Sequence, residues 1–226
     1  MPTQQGPRGI SFDFNLGARV LVPEGTWKVR LSDLDTGDIL FETDTKGAFV
    51  NSAKRFYVRF GVEIWEGAER ILHHEFTARD REVLIQFPVG TLGDTIGWLP
   101  YTIRFKAVHC CRPTIALAEK FIGLFADVYP DVTFLSHEQV KTDRFYATYS
   151  IGLFFDDISN VWLPTDFRHV GLHRTAGYIL GIDPAEEAPR IAAPEGETRP
   201  LEAPCVCIAV QASTACKIRN KPYGWH

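Results

Sequence analysis

Long apolar runs are missing from this 226-residue chain. The longest, such as Ile151-Gly152-Leu153-Phe154-Phe155, fall far short of the roughly 20 residues that cross a bilayer as a helix. The N-terminus, Met1-Pro-Thr-Gln-Gln-Gly-Pro-Arg8, has no apolar core of the signal-peptide kind. An excess of one charge is absent too: 24 Lys and Arg stand against 28 Asp and Glu, for a net charge of -4 and a pI near 6.0. Nothing here draws nucleic acid or anionic lipid across the whole surface. Paired cysteines are also lacking. Cys110-Cys111 and Cys205-Val206-Cys207 miss the C-x2-4-C spacing of structural zinc, and Cys216 stands alone. Five cysteines in no secreted framework read as reduced, inert thiols. The expectation is a cytoplasmic protein with no membrane span, no nucleic-acid partner and no metal site.

What is present falls into two grammars. In residues 9–80, Ile10, Phe12 and Phe14 alternate with Ser11, Asp13 and Asn15, and Trp27, Val29 and Leu31 with Lys28, Arg30 and Ser32. Phe56, Val58, Phe60, Val62 and Ile64 repeat the pattern. Period two implies strands with one buried face and one wet face. Turn signals at Asn15–Gly17, Pro23–Gly25, Asp35–Gly37 and Thr45–Gly47 separate them, which favours a small antiparallel barrel or sandwich.

After residue 82 strands and helices alternate, the pattern of a parallel sheet. Val83–Phe87, Thr114–Leu117 and Val132–Leu135 read as strands, and Phe145–Phe155 as a further strand or strand pair. Thr95–Ala107, Glu119–Tyr129 and Phe167–Leu180 read as helices, with Pro130 and Gly181 as stops. Five prolines within 184–204 suggest a linker, and 205–226 opens a new strand that cannot complete a domain by itself. The predicted class is α+β: a barrel-like domain (1–80), a Rossmann-like domain (81–183), the linker (184–204) and an incomplete further domain (205–226).

The strand-loop-helix junction at Val83–Thr95 is the leading site. It places Asp94 at the carboxyl edge of the sheet, where open α/β folds bind ligands. An aspartate there can cap the helix or act as a base, and the local sequence allows both. Gly90 and Gly93 let the loop Gly90-Thr91-Leu92-Gly93, with Thr95, approach a ligand closely. The string is neither G-x-G-x-x-G nor a P-loop, so dinucleotide and P-loop assignments have no support. Asp33–Asp38 lacks the spacing of a calcium loop and reads as a hairpin. His73 and His74 point to opposite faces of a strand. Residues 164–174 gather Asp166, Arg168, His169, His173 and Arg174; Arg168 or His169 could meet an acceptor, or simply form a solvated first turn. Thr214 and Lys217 follow the last strand, where a lysine could bind phosphate.

Together these residues resemble the N-terminal part of the bacterial autotransporter heptosyltransferases. The resemblance rests on Phe12–Asn15, Gly17–Val20, Gln86–Thr95, Leu99–Tyr101, Ala147–Tyr149, Gly152–Phe155, Asp166–Arg168, Gly171–Ala176, Ile179–Gly181, Cys207–Gln211, Cys216-Lys217 and Gly224-Trp225. It implies a GT-B fold in which ADP-heptose is the donor and serine hydroxyls of an adhesin passenger are the acceptors. Asp94 would be the base, while Lys217 and Thr214 would meet the donor phosphates. It also implies homo-oligomers, and iron held by C-terminal cysteines outside this chain. The expectation is an N-terminal fragment inactive alone. A non-catalytic adhesin-binding or oligomerisation module and a lipopolysaccharide-type heptosyltransferase fragment are the alternatives.

Overall fold

A computed structural model describes residues 1–88, 90–142 and 144–192. The segment 205–226, with Thr214 and Lys217, lies outside the described residues, as does most of the expected linker. The strands are β1 (Gln4–Gln5), β2 (Ser11–Asn15), β3 (Arg19–Val22), β4 (Trp27–Asp33), β5 (Ile39–Thr45), β6 (Ala48–Asn51), β7 (Phe60–Glu66), β8 (Glu69–Glu75), β9 (Glu82–Gln86), β10 (Arg112–Leu117), β11 (Thr133–Ser136) and β12 (Ala147–Ser150). The α-helices are α1 (Leu92–His109), α2 (Phe167–Val170) and α3 (Arg174–Ile179).

Strands β5-β4-β7-β8 form an antiparallel sheet whose period-two pattern works as the sequence predicts. Trp27, Val29, Leu31, Val62 and Ile64 are buried, while the other face carries cross-strand pairs such as Lys28–Glu42 and Arg70–Glu63. The Asp33–Asp38 segment is the expected hairpin turn: the Gly37 N–H donates to the Asp33 carbonyl, and Asp33 Oδ1 accepts from the Asp35 N–H. His73 is exposed and His74 half-buried, on opposite faces, with His74 Nε2 2.8 Å from the Tyr146 hydroxyl.

Among the described residues the N-terminal strands do not close on themselves as the expected barrel-like domain. Among the described residues β2, β3 and β6 join the α/β strands in one sheet of order β11-β10-β9-β12-β2-β3-β6, with β1 also on β2. Strands β9 to β12 are mutually parallel, and β2 runs parallel to β12. The sheet therefore continues across residue 80. Polar side chains fix this joint. Asn15 Nδ2 donates to the Phe145 carbonyl (2.8 Å), and the Thr148 hydroxyl donates to Asn15 Oδ1 (2.5 Å). An edge of β2 used by β12 is no longer available to close a barrel.

The same joint overturns the wet face expected for β2. Ser11, Asp13 and Asn15 are buried because both faces of this inner strand are covered. Asp13 has 0% exposure and needs compensation. It receives two 2.6 Å bonds from Arg19 and one from the Thr3 N–H.

Two predicted helices are shorter than expected. Phe167–Leu180 is split into α2 and α3 because Gly171 adopts φ +92, outside the helical region. Glu119–Tyr129 forms a 3-10 helix over Glu119–Leu124 and then turns. By contrast, α1 runs 18 residues, starting three before and ending two after the expected Thr95–Ala107, so Leu92 and Gly93 of the expected loop are helical, and it accommodates Pro100.

Candidate active site

The parallel strands occur in the order β11-β10-β9-β12, so the chain turns back past β9 to lay down β12. The crevice between the carboxyl ends of β9 and β12 is thus a topological switch point, the usual ligand position in open α/β sheets. The loop after β9 carries the Asp94 segment, and the Ile151 N–H donates to the Gln86 carbonyl (2.8 Å) where the two loops diverge.

Thr91, not Asp94, is the N-cap of α1. Asp94 occupies the third helical position and completes a capping box. Its Oδ2 accepts from the Thr91 N–H (2.8 Å) and the Thr91 hydroxyl (2.9 Å). Its Oδ1 accepts no hydrogen bond from the described residues. One oxygen therefore anchors the carboxylate while the other is free for a ligand at the partly exposed helix start. The cap therefore occupies only one of the two carboxylate oxygens. Thr95 is buried, and its hydroxyl donates to the Thr91 carbonyl (3.0 Å).

Trp98 organises what surrounds the carboxylate. It is buried, packs edge-on against Phe87 at 5.8 Å, and lies so close to Gly90 that a Cβ there would fall 3.2 Å from its ring. Its indole N–H donates to the Leu172 carbonyl (3.1 Å), which ties the turn before α3 to α1. Leu92, Gly90 and Gly93 are exposed around this carboxylate.

The loop after β12 is held by Asp157, whose carboxylate accepts the N–H groups of Val161, Trp162 and Leu163, each at 2.8 Å. Phe154 stacks on Trp162, while Phe155 and Ile158 face outward at 73% and 94% exposure. A small cavity of about 100 Å³ lies in this loop, lined in part by Phe154, Phe155, Leu163 and Phe167. A larger cleft of about 380 Å³, lined by Tyr57, Arg59, Arg79 and His109 among others, is at the other end of α1.

Arg168 and His169 lie exposed on α2, and no hydrogen bond joins either to the Asp94 loop. Arg168 pairs with Asp166 (2.7 Å), the N-cap of α2; this pairing holds the Asp166 carboxyl down to about 2. Its positive charge is thus largely engaged already. Sequence reasoning passed over Trp98 and Asp157, whose signals are only an apolar helix position and an aspartate in a loop. Among the described residues no group of three or more His, Cys, Asp or Glu could hold a metal ion. Cys111 is buried, which pushes its thiol up to about 11.

Residues 6–68 match the family model of the N-terminal domain of the glycosyltransferase TibC. Over its whole length the chain is 45% identical to the autotransporter heptosyltransferase BAHTCr of Citrobacter rodentium, covering 55% of that protein. The chain is similar to the N-terminal part of the autotransporter heptosyltransferases. The crystal structure of iron-containing, dodecameric TibC from enterotoxigenic E. coli shares 46% identity and a TM-score of 0.87, over 93% of this chain and 55% of TibC. TibC has also been solved in complex with ADP-D-beta-D-heptose. The inactive autotransporter heptosyltransferase BimC of Burkholderia thailandensis is 41% identical over this chain, again across 53% of its own length. The chain thus spans a little over half the length of these heptosyltransferases, and its mixed α/β architecture is similar to that of TibC. The described residues do not fit the iron that TibC contains.

Proposed function

We propose that this chain supplies the acceptor-side half of a GT-B protein O-heptosyltransferase, with residues 81–183 facing a nucleotide-sugar-binding half that begins near residue 205. The donor is ADP-heptose, and the acceptors are serine hydroxyls of an autotransporter adhesin. The observation that carries this reading is the divided carboxylate of Asp94 at the switch crevice. Its anchored Oδ2 orients the group, and Oδ1 takes the proton of the acceptor hydroxyl. The hydroxyl oxygen then bonds to the anomeric carbon as the bond from that carbon to the ADP phosphate breaks, which inverts the centre. Lys217, with Thr214, would stabilise the charge on departing ADP. Gly90, Thr91, Leu92, Gly93 and Thr95 form the loop that presents the base, and Arg168 and His169 border the acceptor path.

Asp94→Asn tests this. The amide still accepts the Thr91 N–H, so α1 keeps its cap while the base is lost. In the protein at its full natural length, transfer of heptose to an adhesin fragment is expected to fall by at least about 100-fold with an unchanged thermal midpoint. Unaltered transfer would sink the reading. The similarity to inactive BimC favours one second reading, a non-catalytic adhesin-binding module; adhesin binding without any transfer by the unsubstituted protein would establish it. The match of residues 6–68 to the TibC-type domain weighs against a lipopolysaccharide-type enzyme. Oligomers like the TibC dodecamer would be read by light scattering on the full-length protein.

A further inference from the structure

Two local concessions in the sequence meet at one point beside Asp94. The first is Gly97, in the interior of α1, where glycine costs about 1 kcal/mol relative to alanine. A Cβ on Gly97 would overlap the ring of His173, so the missing side chain makes room for that imidazole. The second is His173 itself. It stands at the N-cap of α3, a position suited to Ser, Thr, Asp or Asn, yet its side chain makes no capping bond. Local stability explains neither residue.

Gly97 follows Asp94 by three residues, so the two positions share one face of α1, with Cβ sites about 5–6 Å apart. The His173 ring fills the Gly97 position on that face, about one helical turn from Asp94. Its backbone is secured on both sides. The Trp98 indole donates to the Leu172 carbonyl (3.1 Å), the Thr175 hydroxyl donates to the Gly171 carbonyl (2.9 Å), and the His173 carbonyl accepts the Ala176 N–H (3.1 Å). The residue is exposed, and its ring makes no hydrogen bond to a described group. A fixed backbone carrying an uncommitted imidazole is how a rigid scaffold presents a contact to a ligand.

We infer that His173 contacts the acceptor: its imidazole N–H donates to the acceptor hydroxyl oxygen, whose own proton is then directed at Asp94 Oδ1. This rests on the reading of Asp94 as the base. An imidazole suits the task because it offers an N–H donor on a short, planar side chain. Held from both sides, the hydroxyl keeps one lone pair aligned for the anomeric carbon.

The test uses the full-length protein, ADP-heptose and an adhesin fragment. His173→Ala is expected to lower kcat/KM for the adhesin by about 10- to 100-fold through a raised acceptor KM, with the ADP-heptose KM and the thermal midpoint unchanged. His173→Gln, which keeps an N–H donor, is expected to recover part of the loss. Gly97→Ala displaces the ring and should reproduce the His173→Ala kinetics, and the double substitution should be no worse than either single one. Unchanged acceptor kinetics in His173→Ala, alongside abolished transfer in Asp94→Asn, would overturn the inference and leave the base intact. Full transfer by Asp94→Asn would remove both.

Discussion

At the residue scale, one oxygen of Asp94 carries both hydrogen bonds of its carboxylate, and His109 presents a different case. The His109 ring lies 4.3 Å from Phe105 and 5.1 Å from Tyr57, and its Nε2 is buried with no hydrogen-bond partner among the described residues. Burial lowers its pKa below the ordinary 6.5. The unfolded chain therefore takes up a proton near pH 6.5, while the folded protein takes one up only at lower pH. Stability falls as the pH drops through that window and is fully present above it. His74, lowered by burial and by Arg81, acts in the same direction. His109→Phe fits between the same rings, so thermal midpoints from pH 7.5 to 5.0 should decline less steeply than in the unsubstituted protein. An equally steep decline would place the acid sensitivity elsewhere.

At the scale of elements, the short pairing of β2 with β12 is the most vulnerable joint, since the register holds only at Ala147 with Phe14 and Thr148 with Asn15. Asn15 satisfies the Phe145 carbonyl and the Thr148 hydroxyl at once. Asn15→Leu leaves the buried Thr148 hydroxyl unpaired at about 1–3 kcal/mol, while the Phe145 carbonyl keeps its bond from the Thr3 hydroxyl. A thermal midpoint lowered by several degrees is expected, with exchange protection lost first at residues 145–149. Asn15→Leu with an unchanged midpoint would show that the backbone bonds alone hold the joint. The Thr91–Asp94 box belongs to this scale as well: the string Thr91-Leu92-Gly93-Asp94 announces a helix start, with Asp where Glu is commoner.

For the whole molecule, the shared sheet predicts one cooperative transition across residues 1–192. A β-rich unit that closed on itself would leave residues 81–192 able to fold alone. In the observed sheet those residues would lose β2 from the side of β12 and expose Tyr146 and Ala147, which are now buried. The isolated segment 81–192 is therefore expected to lack a sharp thermal transition and fixed near-ultraviolet dichroism. A native-like transition in it would mean that the two grammars of the sequence are independent folding units after all.

Local periodicity determined much of this protein. The runs around Val29 and Ile64, the apolar string Val83–Phe87 and the glycine-marked turns fixed strands and hairpins, because these depend on neighbours in the chain. The Gly90–Thr95 string likewise marked the start of α1 and its carboxylate. Three things were decided only by tertiary structure: the burial of Asp13, the sharing of β2 with β12, and the meeting of His173 with Gly97. Each depends on groups distant in sequence, such as Thr3 with Asp13, Asn15 with Thr148, or Gly97 of α1 with His173 before α3. Alternation reports which residues differ in polarity, but the partner strand and the covering layer decide whether a polar face meets water or another side chain.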